Sequence, residues 1–418
     1  MTATLTPAPG SLRARLKRRP WTHHNRLAAA VVLLNAVVAV MAGPDLDVLT
    51  GLVLGNLTLA VLIRQQLVIN LLFRLATAAS LRRSLRWRWT LGKVYHFGGL
   101  HVGGAVCATA WFLVLTGTLT VRGAPAPLIL VSWVIAGVLA VMVAAALPRV
   151  RARRHDLFER SHRFGGWTLL VLFALHAVLL ADAAGKRFIG SAAFWVLLVV
   201  VTSVALPWLR LRRVPVRISS PSPHVALLSF DYGVTPFAGS STALSRNPLL
   251  EWHSFANVPA PGRTGFRLTV SRAGDWTGAL IDDRPSHLWV KGIPTAGVGN
   301  IDKLFRRVVW VATGSGIGPC LPHLLSGETP ARLVWSTRHP RRTYGDALVD
   351  EILAVQPGAV VWDTDSAGKP DLVELALEAH RDFAAEAVIC ISNKKTTWHV
   401  VEELEARGIP AFGAIWDS

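Results

Sequence analysis

Six apolar runs in the first half of the chain, each long enough to cross a bilayer, constrain the fold more than any other feature of the sequence. A membrane-spanning helix needs about 20 apolar residues at 1.5 Å rise each. Runs of that kind cover residues 26–42, 48–67, 95–121, 127–147, 158–181 and 188–209. The first lies deep behind the basic run 13–19 and shows no small-residue cleavage site before the second, so it reads as a span and not as a cleaved leader.

The cations give the orientation. The chain holds 44 Lys and Arg against 26 Asp and Glu, a formal charge of 44 − 26 = +18, which on a soluble surface would point to a polyanion partner. Instead they gather in the N-terminal tail, 82–93, 149–154 and 210–213, alternating with poorly charged connectors such as 43–47. That is the positive-inside pattern. It predicts a multi-pass protein of the cell membrane with both termini cytoplasmic and residues 210–418 in the cytosol, and it displaces nucleic acid as the explanation of the charge. Three widely spaced cysteines, Cys107, Cys320 and Cys390, exclude a disulfide framework and a structural zinc cluster.

Histidines inside spans are costly and are functional candidates by default. His162 and His176 are 14 residues apart, about 1,400° of turn, so they lie within about 40° of one face and about 21 Å apart along it. His101, on the third run, sits at a depth like that of His162 on a helix running the same way. A low-spin haem between two helices needs one imidazole from each at matched depth, which His101 and His162 supply. The plainer alternative is that each ring bonds a neighbouring carbonyl. His96, about 140° around the helix from His101, reads as interfacial and as a fallback ligand.

On the run Glu159-Arg160-Ser161-His162-Arg163-Phe164-Gly165-Gly166-Trp167, residues 95–213 resemble the core of the six-helix domain of the ferric reductase and NADPH oxidase superfamily. The resemblance implies two haems b stacked across the membrane by two histidines on helix three and two on helix five, with His101, His162 and His176 at matching positions. Leu115 stands where the partner of His176 belongs. The inner haem is therefore supported and the outer one lacks its second ligand.

Beyond residue 214 the texture changes to short apolar or alternating runs broken by Pro, Gly and Ser, at 225–230, 266–270 and 287–290, which read as strands of a small barrel. After Lys303 the pattern becomes strand, Gly-rich turn, helix, strand, the signature of an open α/β sheet. Its strongest motif is Arg307-Val308-Val309-Trp310-Val311-Ala312-Thr313-Gly314-Ser315-Gly316-Ile317-Gly318-Pro319-Cys320-Leu321. Such a turn brings backbone N–H groups and a helix start to a pyrophosphate, although a tight structural turn has the same appearance. Two further strands end in Arg338 and in Cys390, and three strand ends carrying chemistry favour a ligand crevice.

These runs resemble the ferredoxin-reductase-type module that follows the membrane domain in the same superfamily. Glu251-Trp252-His253-Ser254-Phe255 looks like its flavin motif, Gly274-Asp275-Trp276-Thr277 like a run just beyond it, and Lys291-Gly292-Ile293-Pro294-Thr295-Ala296 in part like its flavin-phosphate run. The resemblance implies FAD against His253, Ser254 and Phe255, with Arg272, Gly292 and Thr295 near its phosphates. It implies NAD(P)H on Gly314, Gly316 and Gly318, Arg338 near the ribose or its 2′-phosphate, Cys390 beside the nicotinamide, and Trp416 covering the flavin. Here Ala256 replaces a hydroxyl residue, Ser271 a basic one, and Ile391-Ser392 the expected Gly-Pro.

The expected architecture is a basic tail (1–24), a six-helix transmembrane bundle (25–209), a cytosolic flavin-binding β-barrel (210–300) and an α/β nucleotide-binding domain (301–418). The leading function is an integral-membrane flavoprotein oxidoreductase passing electrons from NAD(P)H through FAD, by way of a haem between His101 and His162, to ferric iron, oxygen or another acceptor. Two rivals stand beside it: a haem-less flavin enzyme acting on a lipidic or small organic substrate, and a catalytically silent receptor or scaffold.

Overall fold

The computed structural model describes residues 21–43, 45–259, 262 and 264–414. Its first half is helical: α1 His23–Ala42, α2 Leu46–Leu62, α3 Gln66–Thr77, α4 Leu85–Leu91, a 3-10 turn Gly92–Phe97, α5 Gly98–Val121, α6 Ala126–Ala146, α7 Pro148–Arg153, α8 His155–Ala183 and α9 Ala192–Leu209. Five helical segments are long and apolar enough to cross a membrane, or six if α2 and α3 count as one span bent by 76°. The side chains of Thr22, Asp45 and Ser191 accept from the N–H groups of Asn25, Asp47 and Phe194 in the first turns of α1, α2 and α9.

Close contact in the bundle rests on small residues and one polar knot. A Cβ on Gly99 would lie 2.1 Å from the His24 carbonyl oxygen and one on Gly104 3.0 Å from that of Asn56, so α5 touches α1 and α2 backbone to backbone. Asn35 and Asn56 exchange amide hydrogen bonds of 3.0 and 2.5 Å, and the Trp111 indole donates to Asn35 Oδ1 at 3.0 Å. Phe112, Leu115, Ile135, Phe173 and Leu197 fill the space between α5, α6, α8 and α9.

Where one span is expected over 48–67, the helix stops at Leu62 and turns away. The Gln65 side chain caps the new helix by accepting from the N–H groups of Leu67 and Val68. Ile69, Phe73 and Ala76 of α3, spaced by four and three, form one apolar stripe. Ile69 and Phe73 join the hydrophobic core of the second half, among Val258, Ile301 and Phe305.

That half begins as a barrel of two antiparallel sheets. One has the order β1 (Leu211–Pro215), β7 (His287–Lys291), β4 (Ser240–Ser245), β5 (His253–Ala256), with β8 (Thr295–Ala296) on β4; the other has β2 (Arg217–Ser222), β3 (Val225–Phe230), β6 (Phe266–Ser271). Leu228, Leu244, Leu268 and Val290 fill it. A five-stranded parallel sheet follows, β9 (Val308–Thr313), β10 (Ala331–Thr337), β11 (Val360–Asp363), β12 (Ala387–Ile391) and β13 (Ala411–Gly413), in the order β11-β10-β9-β12-β13. From β9 the chain winds outward through β10 and β11, then returns to β9's other edge for β12 and β13. The change of direction opens a crevice at the carboxyl ends of β9 and β12, where ligands of such sheets bind.

Candidate functional site

The glycine turn sits in that crevice, and each glycine has a separate reason. Gly314 has φ +52°, a left-handed conformation. A Cβ on Gly316 would lie 2.1 Å from the Ile391 carbonyl oxygen, and one on Gly318 3.3 Å from Thr269 Cβ. The turn is held by Trp335 Nε1–H donating to Gly314 O at 3.0 Å, by the Thr313 and Ser392 hydroxyls at 2.5 Å, and by Ser271 donating to Ser315 at 2.7 Å. Ser271 and Thr269 belong to β6, so the barrel closes one wall of the crevice. The helix Ile317–Ser326 starts from the turn and aims its free N–H groups into the same space.

Cys390 is wholly buried on β12 among Val309, Val311, Val400 and Leu404, beneath the helices Leu372–Asp382 and Lys394–Ala406. Burial pushes its thiol up to about 12, against the smaller opposing effect of a hydrogen bond with Thr397. A neutral thiol so placed is a packing group and not a nucleophile. Cys390 is therefore expected to resist iodoacetamide at pH 8 in the folded chain and to react once it is unfolded, as measured by mass spectrometry. Appreciable native labelling would refute the placement.

On the barrel, two runs distant in sequence converge. The His253 imidazole stacks on Trp276 with centroids 4.2 Å apart, Phe255 lies 6.0 Å from the same indole, and Trp276 Nε1–H donates to Glu251 at 2.7 Å. Trp276 lies in the first turn of the helix Asp275–Asp283. Burial lowers the His253 pKa, with Glu251 and Glu159 pulling the other way, so the ring is held towards neutrality. Ser254 is exposed, and alternation along β5 turns it to the opposite face from His253 and Phe255.

The other residues expected near the cofactors sit on the barrel surface, at its seam and at the end of β10. Arg272 is bonded to Asp282 at 2.5 Å and to the Pro223 carbonyl at 3.0 Å, on the exposed surface. Gly292 bonds the Arg210 carbonyl at 3.1 Å, where a Cβ would meet that oxygen at 2.7 Å, so it serves the seam beside β1. The Thr295 carbonyl accepts from Ser241 at 3.3 Å. The Arg338 side chain is 81% exposed and 3.9 Å from Asp365. Trp416 lies outside the described residues.

In the helical half, His101 and His162 share one hydrogen-bonding arrangement. Each has Nδ1 on a backbone carbonyl, His101 on Ala60 at 2.8 Å and His162 on Phe158 at 3.2 Å. Since a carbonyl only accepts, Nδ1 carries the proton; this is the carbonyl bond that the plainer alternative expects of each ring, and it leaves each Nε2 lone pair unused by it. His176 differs: its Nε2 is buried without a partner, and its ring meets Phe112 edge-on at 5.3 Å. Phe112 and Leu115, almost wholly buried, occupy the bundle core beside it. His96 packs on Tyr95 at 4.3 Å.

The sequence reading missed the joint between the halves. Arg88, almost wholly buried, donates to Glu386 at 2.7 and 3.0 Å and to the Leu304 carbonyl at 2.7 Å. Lys93 bonds Glu405 and the Ala411 carbonyl and lies over the Phe412 ring at 4.6 Å. Asn70 donates to Pro294 O at 2.9 Å and accepts from the Ala296 N–H at 2.7 Å. On the other side, the Arg163 guanidinium reaches the Leu249 carbonyl at 2.7 Å, and Lys291 lies 4.7 Å from the Trp252 ring, which meets Trp208 edge-on.

A family profile described as "Adenylate-forming reductase 03009, C-terminal domain" matches residues 298–418. Adenylate-forming reductase 03009 of Coprinopsis cinerea is 42% identical over a 425-residue alignment covering 98% of this chain and 41% of that protein. Adenylate-forming reductase 06235 of the same organism is 40% identical with the same coverage. The chain thus spans about two fifths of the length of the curated relatives it matches. A solved ferredoxin-NADP+ reductase from Neisseria gonorrhoeae, with bound FAD and NADP, superposes on 49% of this chain and 98% of its own at TM-score 0.38 and 15% identity.

Proposed function

We propose that this chain is a membrane-held flavoprotein reductase that oxidises cytosolic NAD(P)H. One observation carries the reading: the turn Gly314–Gly318 lies where the parallel sheet reverses direction and is walled by barrel strand β6, so a dinucleotide bound there faces the barrel. The N–H groups of the turn and the helix start would hold the pyrophosphate. Gly314 and Gly316 keep that wall low, because any side chain would be strained or would strike β12.

The pair His253–Trp276, with Phe255 beside it, is an aromatic cluster at the barrel of the kind against which a flavin ring would pack. FAD held by His253, Phe255 and Trp276 would supply a hydride acceptor for NAD(P)H and a donor of electrons to the next carrier. The protein's share is position and exclusion of water. The relatives' name, reductase, agrees with this reading, while their adenylate-forming activity belongs to proteins more than twice as long.

For the onward path, His101 and His162 are the residues that would hold a single haem near the cytosolic end of the bundle, through the Nε2 lone pairs that their Nδ1–carbonyl bonds leave free. A second reading, a haem-less reductase of a small organic substrate, is favoured by Phe112 lying edge-on against the His176 ring, with Leu115 buried in the same core as Phe112. One absorption spectrum of the detergent-solubilised chain tests both. Flavin bands bleached by NADPH are expected, and protein lacking extractable FAD and NADPH oxidation overturns the proposal. A haem band lost in His162→Ala favours the relay, whereas flavin without haem favours the second reading.

A further inference from the structure

The barrel carries a second concave site on a face the nucleotide crevice does not use. Along β7, Leu288 and Val290 enter the barrel core while His287 and Trp289 face outward. Across the ladders, Arg213 of β1 and Ser245 of β4 stand opposite Trp289, and Arg246 follows directly. Arg213, Arg246, Pro285, His287 and Trp289 line a cavity of about 270 Å³. His253 pairs with Leu244, whose side chain is in the barrel core, so the His253–Trp276 stack lies on the other face of this sheet.

The charge of this cavity is specific. Arg246 is bonded to Asp283 at 2.7 Å, whereas Arg213 has no carboxylate partner among the described residues. Two guanidinium groups beside one carboxylate leave a positive site, and guanidinium is the side-chain cation best suited to phosphate oxygens. Trp289 adds a flat apolar wall, suited to the carbon skeleton of an ester. The volume lies just under the usual range for drug-sized ligands, about 300–1,000 Å³, and suits a headgroup. Arg213 is four residues beyond the end of α9 at Leu209, so at about 3.3 Å per strand residue it lies within about 13 Å of the end of a helix apolar enough to span.

We propose that this cavity binds a phosphate ester, either the headgroup of an anionic phospholipid or a soluble phosphorylated metabolite, through Arg213 and Arg246 against the Trp289 ring. Binding requires neither flavin nor NAD(P)H. The test is calorimetric titration of the detergent-purified full chain with inorganic phosphate and, separately, with dihexanoyl phosphatidylglycerol below its micelle-forming concentration. At least one probe is expected to saturate, with affinity falling about tenfold or more in Arg213→Ala/Arg246→Ala.

Saturation by phosphate alone identifies a soluble ligand, and saturation by the lipid analogue alone identifies a headgroup. Arg213→Gln, which breaks no ion pair, is the second variant should the double one fail to fold. Its flavin content, equal to that of the unaltered chain, separates loss of this site from failure of the reductase reading. Absence of saturation by both probes, or unchanged affinity in folded variants, overturns the proposal.

Discussion

Arg88→Ala is expected to lower the unfolding free energy of the nucleotide-binding half by about 3–5 kcal/mol, the cost of removing one partner from a buried ion pair. The magnitude follows from what stays behind: Glu386 loses both guanidinium bonds and the Leu304 carbonyl loses its donor. A size-matched Arg88→Met keeps much of the stem packing and is expected to recover only a minor part of the loss. Thermal unfolding of the solubilised chain, followed by proteolysis within 298–418, measures both. Equal midpoints for Arg88→Ala and the unaltered chain would show that the joint does not hold the two halves together.

The same pair gives a pH dependence. Burial works against ionisation of Glu386, but hydrogen bonds from Arg88 and the Arg306 N–H outweigh it, and the carboxyl is held below its ordinary 4.5. A carboxyl depressed by folding contributes stability in full above its unfolded pKa and loses it as the pH falls through the lower folded value. The difference between Arg88→Ala and the unaltered chain is therefore expected to be constant from neutrality to about pH 5 and to shrink below about pH 4.5.

Gly316→Ala carries the second large effect. Its Cβ would meet the Ile391 carbonyl at 2.1 Å, and backbone cannot yield as a flexible side chain does. The turn or β12 must move, at a cost of about 1–3 kcal/mol or more, and the N–H groups that face the crevice move with it. NAD(P)H oxidation is expected to fall by at least about a hundredfold, since misplacement of about 1 Å has that cost. Gly274→Ala is the control: nothing lies within 4 Å of its Cβ and its φ is extended, so stability and activity should stay near those of the unaltered chain. Steady-state oxidation of NADH and NADPH checks both, and a Gly316→Ala variant with ordinary kinetics would remove the turn from the site.

The elements most legible in the sequence are those whose pattern reports a local requirement. The runs at 225–230, 266–270 and 287–290 correspond to β3, β6 and β7 because alternation records which residues enter the barrel. The glycine turn was readable because its spacing reflects conformational and contact limits on the backbone. Gln66, Asn70 and Arg74, spaced by four, marked α3 as one-sided, but high mean apolarity over 48–67 masked the boundary.

Arg88 and Lys93 looked like loop cations at a membrane surface. Their partners, Glu386 and Glu405, are 298 and 312 residues away, and no local pattern announces a pairing at that distance. The stack of His253 on Trp276 was likewise visible only as two separate motifs until folding joined them.

The short helix α3 sends Ile69 and Phe73 into the interior of the opposite lobe. The two lobes consequently lack autonomy: excising 210–418 would strip that interior of two aliphatic and aromatic plugs and expose the sockets that received them. A fragment cut at the apparent domain boundary should thus aggregate, and dissection of this chain has to carry residues 66–97 along with the nucleotide lobe or supply a substitute for them.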